Sequence, residues 1–303
     1  MAQAKSLQDK SIIVTGAGRG IGREYALMLA EQGAKVVVND LGAEVDGSGG
    51  STGPAGEVVD TIRGMGGEAV ANGDDVADWE GAKRLVETAV STFGRLDTLV
   101  NNAGILRDRM LVNMTEDDWD AVMRVHLRGH FCPTRHAAGY WREQVKAGEQ
   151  VDARIVCTSS GAGLFGNIGQ ANYAAAKSGI ATFARVAAAE LGRYGVTANA
   201  IAPIARTRMT EGLFADSMSR PTDGFDTMDP GNIAPLVVWL GSNDSAGISG
   251  HVFEVSGGKV NIADNWRTLP GVDKGERWEP ADLGPVVREL VAKVDPVKVI
   301  GAQ

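Results

Sequence analysis

The sequence predicts an α/β fold: a doubly wound parallel sheet forming a single domain with a C-terminal extension. Continuous Val/Ile-rich runs such as "AKVVVND" (34–40) alternate with amphipathic stretches such as "EGAKRLVETAVSTFG" (80–94). Parallel strands are buried on both faces, so they read as unbroken apolar runs. A glycine-rich turn, "TGAGRGIG" (15–22), also separates the first apolar run from the first amphipathic stretch. With 303 residues, 44% of them hydrophobic, the chain can bury one large core.

The individual elements follow from these patterns. The Gly/Ser-rich segment 42–56 and the polar segment 143–152 are predicted to be loops. After about residue 258 the composition shifts to charged residues, Trp and Pro. We therefore expect a main domain over 1–260 and an extension over 261–303, packed on that domain or on a partner subunit. Strands are predicted at 11–18, 34–40, 96–104, 153–160, 195–203 and 251–258, and helices at 23–33, 80–94, 171–192 and 279–294.

Charge and composition argue against several classes of protein. The net charge is -8 and there is no Lys/Arg run, unlike in a nucleic-acid-binding protein. No segment approaches the ~20 apolar residues of a membrane span, and the N-terminus lacks an apolar signal core. Cys132 and Cys157 lie in apolar segments, which favours buried thiols over disulfides. With neither a signal core nor a membrane span, we expect a cytoplasmic protein. None of the histidines belongs to a metal motif, so we expect no metal site.

The glycine-rich turn predicts a dinucleotide site. Gly16 permits a tight turn, Gly20 lets the backbone approach a pyrophosphate, and Gly22 allows close packing of the helix. The N-terminus of that helix offers free N–H groups and the positive end of its dipole to phosphates. Arg19 and Ile21 lie in the same turn and are included in the predicted site.

The second strand ends in Asp40, which bears on the choice of dinucleotide. A carboxylate at this position accepts hydrogen bonds from the adenosine ribose and repels the 2′-phosphate of NADP. Arg19 is a complication, because a basic side chain in the turn could meet that phosphate. We favour NAD over NADP, since Asp40 is placed against the ribose.

"NYAAAK" (172–177) places Tyr173 and Lys177 four residues apart, on one face of a helix. A Tyr hydroxyl titrates near pH ~10, and a neighbouring ammonium would favour the phenolate and lower that pKa. The pair is therefore a candidate catalytic acid/base, although the same spacing also arises in ordinary helices.

These motifs together resemble the short-chain dehydrogenase/reductase family over roughly residues 8–260. The resemblance rests on the glycine turn, "NNAG" (101–104), Ser160, Tyr173 and Lys177, in that order and spacing. It implies a Rossmann-type sheet, with Tyr173 as general acid/base and Lys177 lowering its pKa and holding the nicotinamide ribose. Ser160 would hydrogen-bond the substrate oxygen, with Ser159 as the rival position.

The resemblance implies further site residues. Where the family usually has an Asn that joins a proton relay, this chain has His126, which could take part through water or be purely structural. Tyr173 and Lys177 are also implied cofactor contacts. The others are the adenine pair Asp75 and Val76, the backbone of Asn101, Ala103 and Gly104, and Pro203 beside the nicotinamide.

A closer resemblance narrows the substrate. "VVVNDLG", "NNAGILRDR", "RVHLRG" and "GQANYAAAK" are similar to the (3R)-hydroxyacyl-CoA dehydrogenase unit of peroxisomal multifunctional enzyme type 2. This implies NAD-dependent oxidation of (3R)-hydroxyacyl-CoA in fatty acid or sterol side-chain β-oxidation, and a homodimer or homotetramer paired through helix 171–192. The segment 204–229 would form a substrate lid. In it Arg206 and Arg208 could meet CoA phosphates, and Met209, Leu213 and Phe214 could line an acyl channel.

Other functions remain open from the sequence. A hydroxysteroid or other secondary alcohol dehydrogenase would use the same residues on a different substrate. A 3-ketoacyl-carrier-protein reductase fits less well, because Asp40 argues against NADPH. A non-catalytic dinucleotide sensor would not require the set of Ser160, Tyr173 and Lys177.

Overall fold

The computed structural model describes residues 6–50, 53–207, 220–264, 266–295 and 299–301. In this part of the chain eight strands form one sheet in the order β3-β2-β1-β4-β5-β6-β7-β8. The strands are β1 Ser11–Thr15, β2 Lys35–Asn39, β3 Glu68–Asn72, β4 Thr98–Asn101, β5 Ala153–Thr158, β6 Val196–Ile204, β7 Val252–Ser256 and β8 Lys259–Ile262.

The first seven strands are parallel, and β8 pairs antiparallel with β7 at the edge of the sheet. β1 pairs with β2 on one side and with β4 on the other, so the order of the strands reverses there. In such sheets a crevice opens beyond the carboxyl ends of the strands at the reversal. Thr15, Asn39 and Asn101 end these three strands at that edge.

Helices cover both faces of the sheet, which confirms the doubly wound fold. One core cluster buries Tyr25 and Leu29 of the first helix, and the other buries Leu85 and Trp141 from helices on the opposite face. The helices are α1 Gly20–Glu31, α2 Gly53–Gly64, α3 Trp79–Phe93, α4 Glu116–Met123, α5 Gly129–Lys146, α6 Gly161–Phe165, α7 Ala171–Leu191, α8 Ala234–Gly241 and α9 Pro280–Val291. A π-helical turn, Arg124–Arg128, joins α4 to α5.

Two predicted loops are partly wrong. Helix α2 starts at Gly53, inside the segment 42–56, and neither α2 nor β3 was predicted. The reason is an apolar stripe at Ala55, Val58, Val59 and Ile62, which packs into the core and outweighs the Gly/Ser content before it. Helix α5 likewise continues to Lys146, so the first residues of 143–152 are helical.

The C-terminal extension begins within the sheet, because β8 crosses the expected boundary at residue 260. Helix α9 buries none of its residues against the described part of the chain. Farther on, the Ile300 N–H donates to the Gly166 carbonyl (3.1 Å) and the Ile300 carbonyl accepts from the Ile168 N–H (3.1 Å). Among the described residues, no helix is long and apolar enough to cross a membrane.

Candidate active site

A cavity of about 460 Å³ lies beyond the carboxyl ends of β1, β2, β4, β5 and β6. It has two halves. The glycine-turn half contains Gly16, the segment 19–22, Asp40 and the segment 74–76, and the tyrosine half contains His126, Ser160, Tyr173 and Lys177. The structure brings together these sequence-predicted residues along its walls: Gly16, Arg19, Gly20, Ile21, Gly22, Asp40, Asp75, Val76, Ala103, Gly104, His126, Ser160, Tyr173, Lys177 and Pro203.

The glycine turn has the backbone form that a phosphate cradle requires. Gly16 and Gly20 adopt positive φ angles of 62° and 55°, a region that side chains disfavour. A Cβ at Gly22 would lie 2.2 Å from the Gly16 carbonyl oxygen, so this position has no room for a side chain. Helix α1 begins at Gly20 and its N-cap residue, Arg19, makes no side-chain cap. The first turn of α1 lines the cavity, so it fits the pyrophosphate of a dinucleotide.

Asp40 is fixed against the glycine turn by backbone amides. Its Oδ2 accepts a hydrogen bond from the Gly18 N–H (2.8 Å) and its Oδ1 accepts one from the Gly42 N–H (2.7 Å). A Cβ at Gly18 would lie 2.9 Å from the Asp40 Cγ, so the two residues are in close contact. The carboxylate therefore has a defined position at the end of β2, on the cavity wall.

The asparagine of "NNAG" that reaches the cavity is Asn102, which the sequence reasoning missed. The Asn102 side-chain amide donates to the Thr15 and Gly16 carbonyls (both 3.1 Å), tying this loop to the glycine turn. Asn101 is buried and donates to the Thr134 hydroxyl (2.9 Å) instead. Adjacent residues at a strand end point to opposite sides, so this alternation could have separated the two.

The two neighbouring serines have different partners. Ser159 is buried and its hydroxyl donates to the Lys177 carbonyl (2.7 Å), which joins β5 to helix α7. Ser160 lines the cavity, and its hydroxyl accepts from the Ala162 N–H (3.2 Å) at the start of α6. Both serines line the cavity, but the Ser159 hydroxyl is engaged with helix α7, so Ser160 is the serine whose hydroxyl neighbours Tyr173.

Tyr173 and Lys177 face each other across one turn of α7, with the Lys177 Nζ 5.5 Å from the centre of the Tyr173 ring. Burial raises the pKa of Tyr173 to about 12, and the neighbouring Ser160 hydroxyl opposes this rise. Burial likewise lowers the pKa of Lys177 to about 7. The Lys177 Nζ donates to the Thr158 carbonyl (2.6 Å).

The direction of the Tyr173 shift is opposite to the one expected from the sequence. A lysine lowers the pKa of a neighbouring phenol only while it carries its own charge, and burial disfavours both charged forms. Within the chain itself, desolvation of the two side chains thus dominates over their mutual attraction.

His126 lies in the π-helical turn and contacts Tyr173. Its ring meets the Tyr173 ring edge to face, with 5.2 Å between the centres. Its Nε2 lies 2.8 Å from the Ile105 carbonyl oxygen, and burial, then the nearby Lys177 charge, lowers the pKa of His126 well below its usual value. The imidazole is therefore neutral near pH 7. One nitrogen holds the Ile105 loop, and Nδ1 has no partner among the described residues.

A hydrogen-bonded chain of polar side chains lies near Tyr173, and the sequence did not reveal it. The Asn167 amide donates to the Gln170 Oε1 (2.8 Å), and the Gln170 amide donates to the Asp108 Oδ2 (2.7 Å). Asn167 and Gln170 line the cavity together with Ile300. Burial raises the pKa of Asp108.

The expected substrate lid is described only in part. Arg206 is 8% exposed and pairs with Asp226, so its guanidinium is engaged within the chain. Arg208, Met209, Leu213 and Phe214 lie outside the described residues.

Comparison with known proteins supports the reading of these motifs. The family described as short chain dehydrogenase matches residues 10–217. The chain is 44% identical to "Hydroxyacyl-CoA dehydrogenase ChsB1" of Mycobacterium tuberculosis, covering 96% of this chain and 91% of that protein. It is also 44% identical to "Peroxisomal multifunctional enzyme type 2" of Mus musculus over 90% of this chain, but spans only 35% of that longer protein. The closer resemblance read from the sequence is thereby confirmed.

Solved structures give the same picture of the fold. A short chain dehydrogenase from Mycobacterium avium is 57% identical, with a TM-score of 0.88 over 98% of this chain and 100% of that one. A short chain dehydrogenase from Burkholderia cenocepacia, solved in complex with NADP, is 31% identical, with a TM-score of 0.71 over 84% of this chain and 98% of that one.

Proposed function

The chain belongs to the short-chain dehydrogenase family, and we propose that it interconverts a (3R)-hydroxyacyl-CoA and a 3-ketoacyl-CoA with NAD in β-oxidation. Membership makes it an oxidoreductase that acts on CH–OH groups and binds a nicotinamide dinucleotide. The observation that carries the proposal is the convergence of Ser160, Tyr173 and Lys177 on one wall of a cavity whose other wall is the glycine turn.

The proposed chemistry assigns one role to each side chain of the tyrosine half. Tyr173 moves the proton to or from the substrate oxygen, and Ser160 orients that oxygen by a hydrogen bond. The bound nicotinamide supplies the site for hydride transfer. With a pKa of about 12, the Tyr173 phenol is protonated at neutral pH and is set to act as the acid in carbonyl reduction. Alcohol oxidation requires this pKa to fall, which a charged Lys177 beside it favours.

The preference for NAD is proposed from Asp40. Two backbone amides hold its carboxylate at the end of β2, where a 2′-phosphate would meet a fixed negative charge. The Burkholderia relative was solved with NADP, and the substrate panel below therefore offers both cofactors.

The acyl-CoA substrate is proposed from the relatives and from the surface near the cavity. The relative of nearly equal length carries the name hydroxyacyl-CoA dehydrogenase. Two exposed apolar side chains, Phe165 and Ile168, lie in the segment 162–170 that contributes several cavity-lining residues, and they suit an acyl chain. A second candidate is a hydroxysteroid or other secondary alcohol dehydrogenase. It is favoured by the engagement of Arg206 with Asp226, which removes one expected contact for CoA phosphates.

The test is a substrate panel with purified protein. We would offer (3R)- and (3S)-hydroxyacyl-CoA thioesters and free hydroxysteroids with NAD and then with NADP, following the absorbance of reduced nicotinamide. Turnover of the (3R)-thioesters with NAD, absent from the Tyr173→Phe variant, is the expected result. Turnover of free steroids alone would select the second candidate, and turnover with NADP alone would remove the NAD assignment.

We also propose a cytoplasmic homodimer or homotetramer. Helices α5 and α7 leave Phe131 and Val186 about half exposed, and apolar side chains of this size are covered in many assemblies. Size-exclusion chromatography with light scattering measures the molar mass and so distinguishes the dimer from the tetramer. A monomer at micromolar concentration would contradict the proposal.

A further inference from the structure

The π-helical turn Arg124–Arg128 contacts both halves of the cavity. Its third residue, His126, contacts the Ile105 loop and the Tyr173 ring. Leu127 packs on helix α7, where a Cβ at Gly179 would lie 2.8 Å from the Leu127 Cδ2. Turns of this kind accommodate an extra residue in a helix and are frequent at functional sites.

The same turn and the residue directly after it contact three successive residues, 75–77, of which the first two line the glycine-turn half. The Arg124 Nη2 lies 2.6 Å from the Asp75 Oδ2. Gly129, directly after the turn, packs so closely on Val76 that a Cβ there would lie 2.9 Å from the Val76 Cγ2. The Arg128 Nε donates to the Ala77 carbonyl (2.7 Å).

Asp75 and Arg124 both line the cavity. In the neighbouring ion pair, Asp74 with Arg84, only the aspartate does. The Asp75 Oδ1 accepts from the Ala77 N–H (2.8 Å), so its carboxylate is held from two directions. Asp74 pairs with Arg84, and the Arg84 Nη2 lies 2.6 Å from the Asp74 Oδ1. Arg84 is not part of the cavity wall. The chain thus contains two carboxylate–guanidinium pairs on adjacent aspartates, both with an N–O distance of 2.6 Å. Both side chains of the Asp75 pair line the cavity, whereas in the Asp74 pair only the aspartate does.

We propose that Arg124 is a positioning residue that orients the Asp75 carboxylate for the adenosine end of the dinucleotide. This inference rests on the proposed function, since it requires a dinucleotide in the cavity. A carboxylate held by a guanidinium keeps one orientation and loses less freedom when a ligand contacts it. Arg124 acts through Asp75 and through the placement of the segment 75–77, and it takes no part in proton transfer.

The test measures binding of two fragments by calorimetry and ligand-observed NMR. ADP-ribose carries the adenosine end, and nicotinamide mononucleotide carries only the other end. We expect Arg124→Ala to raise the Kd for ADP-ribose about fivefold, because a change of this size corresponds to the free energy of one exposed ion pair. The Kd for nicotinamide mononucleotide should be unchanged. The matched control, Arg84→Ala, should leave both dissociation constants within about twofold of the wild type.

Each other outcome overturns the inference in a recognisable way. An unchanged Kd for ADP-ribose in Arg124→Ala, or a loss equal to that in Arg84→Ala, would show that Arg124 does not position Asp75. Equal losses for both fragments would indicate a general distortion of the cavity. If Arg124→Ala fails to fold by circular dichroism, Arg124→Gln keeps the side-chain stem and serves in its place. Failure of the wild type to bind ADP-ribose would overturn the dinucleotide site itself, together with this inference.

Discussion

The glycine-turn half and the tyrosine half of the cavity are held in place by different kinds of group. Around the glycine turn and Asp40, backbone groups set the geometry: two amides hold Asp40, and the turn itself excludes side chains at Gly22. In the tyrosine half, side chains set it, through the His126 ring and the pair of Gln170 and Asp108. Backbone geometry fixes where a ligand lies, whereas buried side chains tune protonation. We therefore expect changes in the two halves to differ in kind.

The largest expected effect lies in the tyrosine half. Tyr173→Phe removes the proposed proton donor but keeps the ring against His126, so kcat should fall about a thousandfold. The Kd for the dinucleotide should stay near that of the wild type, because the glycine-turn half is untouched. Stopped-flow kinetics and fluorescence titration measure the two quantities. The control is Tyr194→Phe, since Tyr194 does not line the cavity. A parallel loss of binding would mean that the two halves are not separable.

Lys177 should make stability depend on pH. Burial lowers its pKa from the usual 10.5 to about 7, so below pH 7 the folded protein holds a buried charge that the unfolded chain solvates. Lys177→Met should therefore raise the free energy of unfolding, by a few kcal/mol below pH 7. The gain should shrink as the pH rises toward 10.5. Urea unfolding at pH 6 and pH 9 gives the comparison. A gain that does not change with pH would contradict the lowered pKa.

The next effect lies in the glycine-turn half. Gly22→Ala forces a Cβ to within 2.2 Å of the Gly16 carbonyl oxygen, so the turn must open. We expect a destabilisation of about 1–3 kcal/mol, as for other overpacked sites, together with loss of dinucleotide binding. Gly56→Ala is the matched control, because a Cβ there meets no atom of the described residues within 4 Å. It should be neutral or slightly stabilising in helix α2. Thermal unfolding of both variants measures the loss of stability, and calorimetry measures the loss of dinucleotide binding.

The smallest effect concerns selectivity within the same half. Asp40→Asn keeps the shape of the side chain but removes its charge, so the ratio of Kd for NADP to Kd for NAD should fall about tenfold. Asp46→Asn, an exposed change in the following loop, should leave that ratio alone. If the ratio stays constant in Asp40→Asn, Arg19 or another group decides the cofactor.

The same contrast explains what the sequence could predict. The glycine turn and Asp40 depend on local backbone requirements, so their spacing along the chain was enough to place them. Six of the eight strands were predicted for a similar reason, because buried parallel strands leave continuous apolar runs, whereas β3 and β8 are less buried and were not predicted. Helix α2 was not predicted although its apolar stripe is present, because its first turn lies within the Gly/Ser-rich segment 42–56 that was predicted as a loop.

The missed features of the tyrosine half depend on contacts between distant residues. Gln170 and Asp108 are 62 positions apart, and no local pattern links them. Asn101 and Asn102 are adjacent, and only the orientation of the strand end decides which faces the cavity. The direction of the Tyr173 pKa shift depends on how deeply Tyr173 and Lys177 are buried, which their spacing along a helix does not specify.

The lowered pKa of Lys177 has a consequence for chemical labelling. An amine with a pKa of about 7 is substantially unprotonated at neutral pH, and an unprotonated amine is a nucleophile. Lys177 also lines the cavity, so a small aldehyde or activated ester that enters the cavity can react with it. A ligand that fills the tyrosine half would shield the amine. The fraction of Lys177 that is acylated, measured by mass spectrometry, would thus report how much of the cavity is occupied by ligand.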